Sequence, residues 1–206
     1  MDFYFLICGA LCILTFFNVF ESVLKANKLN RCLTALMLLL SIIFSVIGDI
    51  KILGITISLN LILYLVCFVY VLVKNLKIKS IVLMLLASLI TISVLVCYNA
   101  INFENYIFAF IQPYVYFALA MGVVLYYTCN NFKTAFCGTL LGVVLFEYVF
   151  HQTSVKVLEE TLVFGKEYCL TFTLVSLLSY SIVSTFVYII KGIKMRKQQK
   201  NQNLIN

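Results

Sequence analysis

Long apolar runs separated by short polar breaks fill the chain almost from end to end. Seven runs stand out, at residues 3–20, 32–48, 53–73, 80–98, 106–128, 134–151 and 168–190. Each is close to the roughly 20 apolar residues that carry a helix across about 30 Å of hydrocarbon. A bilayer interior gives a bare backbone no hydrogen-bond partner, so each run predicts a helix. The expected fold is an all-α polytopic membrane protein: residues 1–190 form a bundle of seven transmembrane helices, and residues 191–206 a basic cytoplasmic tail. The first run opens on Asp2 and lacks a small-residue cleavage site, so it reads as a retained span rather than a leader.

One segment between runs has room for structure of its own, TSVKVLEETLVFGKEY at 153–168. Val155, Leu158 and Leu162 recur at helical spacing, with Ser154 placed to cap a start and Gly165 to stop it. The pattern fits a short helix lying on the outer interface. A plain continuation of the sixth span into water fits almost as well.

Composition agrees with the pattern: 64% of residues are hydrophobic, 11% are charged and mean hydropathy is +1.08, which excludes a soluble domain. The charges then set the orientation. With the amino terminus outside and the carboxyl tail inside, twelve of the fifteen Lys and Arg fall in cytoplasmic segments: Lys25, Lys28, Arg31, Lys74, Lys77, Lys79, Lys133, Lys191, Lys194, Arg196, Lys197 and Lys200. Six of the eight acids, Asp2, Asp49, Glu104, Glu159, Glu160 and Glu167, stay outside. The net charge of +7 is therefore a topology signal and calls for no nucleic-acid partner. The chain has no tryptophan, so Tyr98, Phe103, Tyr106, Tyr148, Phe150 and Tyr168 supply the outer aromatic belt. The location these features imply is a cell membrane, crossed several times, with the bilayer itself as first partner.

The eight cysteines are scattered singly, without a C-x-x-C pair or companion histidines, so no metal centre or cofactor is expected. Cys97 and Cys169 both fall near the outer surface, a placement that permits one disulfide.

Glu147 and His151, the only histidine, stand out against this background at the end of TAFCGTLLGVVLFEYVFHQ. Counting from Thr134, Glu147 lies about 20 Å along its helix and about 10 Å beneath the outer hydrocarbon edge. His151, one turn on, shares its face. Asn60, Gln112, Thr173 and Ser176 fall at similar depth, as do Ser41 and Thr91, and Pro113 frees the carbonyl of Ala109 beside them. Thr173, Ser176, Tyr180 and Ser184 form a hydroxyl stripe on the seventh span. These groups define a candidate outward-facing polar pocket: Glu147, His151, Asn60, Gln112, Thr173, Ser176 and Tyr180. For helix packing, Gly138 and Gly142 give a G-x-x-x-G, matched by Ala118 and Gly122 on the fifth span, which predicts contact between spans five and six.

The leading functional expectation is a permease for a small solute or cation, or the substrate-binding membrane subunit of one, with Glu147 as cation ligand or proton carrier. Spans one to three and five to seven run the same way, as a three-plus-one-plus-three transporter requires. The alternative is a non-catalytic accessory, sensor or assembly subunit with a membrane-protein partner. A membrane-embedded enzyme acting on lipid or peptide comes last, and a single histidine excludes the H-E-x-x-H zinc site. No catalytic residue is assigned.

Overall fold

In a computed structural model of the chain, which describes residues 3–52, 55–74, 77–100, 112–129, 131–158 and 162–203, the apolar runs become helices whose ends are set by local chemistry. They are α1 (Phe3–Phe16), the short α2 (Glu21–Ala26), α3 (Arg31–Ile47), α4 (Leu59–Lys74), α5 (Ile78–Ala100), α6 (Pro113–Thr128), α7 (Phe132–Leu158) and α8 (Glu167–Asn203). Three are long and apolar enough to cross a membrane, over Ile78–Ala100, Phe132–Phe150 and Glu167–Met195. Phe3–Phe16, Arg31–Ile47, Leu59–Val73 and Pro113–Thr128 are shorter apolar helices.

The fold departs from all-α at one pole. Strands β1 (Asp49–Ile52), β2 (Ile55–Ser58) and β3 (Leu162–Phe164) form a small sheet in the order β1-β2-β3. β1 and β2 are antiparallel, Asp49 opposite Ser58, and β3 lies parallel to β2 with Leu162 opposite Ile55. The sequence DIKI…ITIS alternates β-branched and polar residues, which suits a pleated strand better than a helix. The third run therefore starts as a strand, and its helix begins only at Leu59.

Two further expectations change. The segment after the sixth run is not a separate interfacial helix, because α7 continues to Leu158 with Ser154 inside it, and Leu162 belongs to β3. Pro113 does not weaken a helix interior. It occupies the first position of α6, where its missing N–H would have no intrahelical partner anyway. Ala109, whose carbonyl it was expected to free, lies outside the described residues.

Contacts along the seams give the helix directions. A Cβ on Gly138 would stand 2.5 Å from Ala87 Cβ, and one on Gly142 2.6 Å from Thr91 Cβ, so α5 and α7 run parallel. Tyr114 meets Tyr168 at a tilt (6.4 Å), Ser179 Oγ donates to the Leu119 carbonyl (2.8 Å) and Tyr126 meets Tyr180 (5.9 Å), so α6 and α8 are parallel too. Tyr98 at the end of α5 meets Tyr114 at the start of α6 (6.2 Å), which makes that pair antiparallel. Asn60 meets Ser45, and Cys67 meets Met37, so α3 and α4 are antiparallel. Arg31 at the start of α3 donates to the Thr15 carbonyl (3.2 Å) and the Phe16 carbonyl at the end of α1. The seven long helices thus alternate in direction.

Alternation sorts the charges. Lys25, Lys28, Arg31, Lys77, Lys79, Lys133, Lys191 and Lys194 share one pole, while Asp49, Glu167 and the sheet share the other. On α2 at the basic pole, Lys25 and Glu21 pair at 2.6 Å. Both side chains are exposed, and each holds the other in its charged form, with Glu21 below and Lys25 above its ordinary pKa. Buried apolar side chains of α5, α6, α7 and α8, among them Leu95, Met121, Val143 and Phe172, make the larger core. A second cluster joins Tyr4, Cys8, Leu61, Leu140 and Leu170.

Candidate functional site

Glu147 is 4% exposed, and both of its carboxylate oxygens are engaged. The Gly165 N–H donates to Oε2 (2.8 Å) and the Lys166 N–H to Oε1 (2.9 Å). These donors belong to the turn between β3 and α8, and the first bonds of α8 run from the Cys169 and Leu170 N–H groups back to the Lys166 carbonyl. The carboxylate therefore sits at the start of a 37-residue helix, where backbone N–H groups are unpaired and the dipole favours an anion.

The turn can approach this closely only because residue 165 is glycine. Its φ is +78°, and a Cβ there would fall 2.8 Å from Ser58 Cβ and 2.9 Å from Leu61 Cβ. The β3–α8 turn is thus wedged between the β2–α4 junction on one side and Glu147 on the other. One acid on α7 fastens together α7, α8 and the edge of the sheet.

The other predicted site residues have separate partners. Asn60 is 3% exposed and donates through Nδ2 to Ser45 Oγ (2.9 Å), which in turn donates to the Ser41 carbonyl (2.9 Å). One turn along α4, the Tyr64 hydroxyl meets that of Tyr4 (2.7 Å), with Ser41 beside both. A part-buried polar seam therefore joins α1, α3 and α4. Gln112 is exposed at the start of α6, and its side chain makes no capping bond there. His151 lies on α7, but its side chain is outside the described residues. Thr173 is buried and bonds its own helix, at the Cys169 carbonyl (2.9 Å). Tyr180 packs toward the basic pole against Tyr126 (5.9 Å) and Phe132 (6.0 Å). The Ser176 hydroxyl and Asn60 Oδ1 are buried with no partner among the described residues.

The packing residues lie on tight seams with partners other than those expected. Gly138 and Gly142 receive α5, at Met84, Ala87, Ser88 and Thr91. Gly122 receives α8, where a Cβ would stand 2.3 Å from Ser179 Cβ and 2.4 Å from the Ser176 carbonyl. Ala118 is buried in the larger core. Spans five and six thus do not meet through these residues, because the parallel pairs α5–α7 and α6–α8 use them first. Cys97 is exposed and Cys169 buried, and both are free thiols rather than a disulfide.

Sequence reading missed Gly165 and Lys166 as backbone donors, and it missed the Ser45–Tyr64–Tyr4 extension of the Asn60 contact. The latter had a visible signal: Ser41 and Ser45, like Asn60 and Tyr64, are four residues apart on one helical face. Three tyrosines, Tyr98, Tyr114 and Tyr168, also gather where α5 ends and α6 and α8 begin, at ring separations of 6.2–6.4 Å.

Among known proteins, the family described as YphA-like integral membrane protein matches residues 1–204. No curated protein and no solved structure gives a match.

Proposed function

We infer, for a chain that belongs to the YphA-like family of integral membrane proteins, a non-catalytic subunit that acts through its surfaces, as an accessory, sensor or assembly partner of another membrane protein. The observation that carries this reading is the state of Glu147. Its two oxygens accept backbone N–H bonds inside the fold and the residue is only 4% exposed, so the carboxylate serves to order the start of α8 and is closed to a solute from outside. Thr91, Thr139, Thr173 and Thr185 likewise bond carbonyls of their own helices, the usual role of hydroxyls that stabilise a bundle.

The same reading takes the seven long helices as seven crossings of a cell membrane, with the basic pole in the cytoplasm and the sheet outside. Alternating helix directions and the gathering of lysines at one pole support it. At 14 and 16 residues, α1 and α6 are only about 21–24 Å long, so the bilayer around them would thin or the helices stand nearly upright.

Purification in mild detergent tests the proposal. The expected result is a second membrane protein recovered at fixed stoichiometry and crosslinked to lipid-facing positions such as Val66 or Leu89, with no solute bound. A solute from a panel of ions, amino acids, sugars and vitamins that binds wild type, and is lost in a folded Glu147→Gln variant, overturns it.

The permease reading stays second on one specific observation. The seam of Asn60, Ser45, Tyr64 and Tyr4 is part-buried, polar and incompletely satisfied at the buried Asn60 Oδ1. Such an acceptor suits a water or a small donor ligand. Uptake of a solute abolished by Asn60→Leu, with the protein still folded, would restore that function.

A further inference from the structure

A shallow cleft with an internal volume of about 20 Å³ opens at the basic pole, between the end of α4 and the first turns of the parallel helices α5 and α7. Its lining is mostly apolar and includes Leu72 from α4 and Met84 from α5. Its polar lining is Ser80 from α5 and Lys133 and Thr134 from α7, the Thr134 hydroxyl already donating to Asn131 Oδ1 (2.8 Å). The two helices present the same pair of residue types at the same place: Lys79-Ser80 are the second and third residues of α5, and Lys133-Thr134 those of α7. Lys77 and Lys79 are exposed beside Ser80. Glu21, the one acid described at this pole, is held by Lys25.

We propose that this cleft seats the phosphate of one anionic bilayer phospholipid, with the first part of an acyl chain on its apolar lining. Charge complementarity selects the headgroup: the Lys133 ammonium and the Ser80 hydroxyl line the cleft, the Lys77 and Lys79 ammonium groups are exposed beside Ser80, and the region has no free described carboxylate. The surroundings select a lipid over a dissolved anion. Ile78 and Val82, next to the lining on α5, are 82% and 58% exposed, so the cleft opens beside surface that suits acyl chains rather than water. Parallel α5 and α7 also bring two positive helix ends to one side of it. This site lies at the pole opposite Glu147 and does not depend on the subunit or permease reading.

Native mass spectrometry and thermal unfolding in detergent test it, with phosphatidylglycerol or phosphatidylcholine added. Wild type is expected to retain one phosphatidylglycerol molecule selectively and to be stabilised by it. Removing each cation should weaken retention about fivefold, so Lys79→Gln with Lys133→Gln loses roughly thirtyfold. A tail variant, Lys194→Gln with Lys197→Gln, should change nothing, and Lys133→Arg should keep the lipid. Equal retention of both lipids by wild type overturns the proposal without relying on any variant's folding. So does equal loss in the tail variant, which would mean diffuse attraction, or an equal thermal shift from inorganic phosphate, which would mean an anion site.

Discussion

Two backbone N–H groups at the head of α8 have Glu147 as their acceptor, which bounds the effect of replacing it. Glu147→Ala leaves the buried Gly165 donor unpaired, at about 1–3 kcal/mol, and the part-buried Lys166 donor unpaired at the lower end of that range. Glu147→Gln keeps one acceptor but turns an NH2 group toward a donor, and should cost about 1.5–3 kcal/mol, the worth of a charge-assisted bond. The unfolding midpoint in detergent should therefore fall in the order wild type, Gln, Ala. If the Ala variant matches wild type, the clasp is not structural. Gly165→Ala tests the other half of the contact. It combines a left-handed φ, costing about 1–2 kcal/mol, with a Cβ driven into Ser58 and Leu61, and its midpoint should drop at least as far as that of Glu147→Gln. The depth of Glu147 was legible in the sequence, since 3.6-residue periodicity and a 1.5 Å rise need no tertiary knowledge. Its partners were not, because they are main-chain donors nineteen residues away or fewer, and every residue carries such donors.

Small residues set which helices pair. Gly122→Ala would press a Cβ against both Ser179 and the Ser176 carbonyl, and backbone cannot step aside as a flexible side chain can. The expected loss is about 1–3 kcal/mol or more, read as a lower unfolding midpoint. Gly9→Ala on α1 is the matched comparison. Nothing lies within 4 Å of its Cβ, so the change should be neutral or add about 0.5–1 kcal/mol through helix propensity. Equal destabilisation by the two would remove the α6–α8 seam as the explanation. G-x-x-x-G spacing marked Gly138 and Gly142 as a contact face from sequence alone, but spacing carries no address. The face met α5 because Ala87, Ser88 and Thr91 give it a complementary small-residue groove. Strand β2 was hidden for a related reason: ITIS adjoins an apolar helix, and hydropathy does not change where the backbone does.

Across the whole molecule, alternating helix directions put most of the described cations at one pole and the sheet, with Lys51 and Lys166, at the other, so orientation has a direct test. In a background with native cysteines removed, Asp49→Cys should react with a membrane-impermeant maleimide on intact cells, and Lys194→Cys only after permeabilisation. The reverse pattern would invert the proposed topology, and labelling of both on intact cells would break it. The cleft and the Glu147 clasp lie at opposite poles, and under the proposed topology the first faces the inner leaflet and the second the outer side, so the two can be perturbed independently.

Hydropathy, run length and the placement of fifteen cations determined the solvent, the helical class and the polarity of this protein, because those properties depend only on local composition and on short periods. Contacts between distant segments decided the rest: which carboxylate meets which turn, which glycine faces which helix, and that two apolar stretches pair as strands. Such contacts depend on shape and on backbone groups common to all residues, and they become specific only when the chain has folded around them.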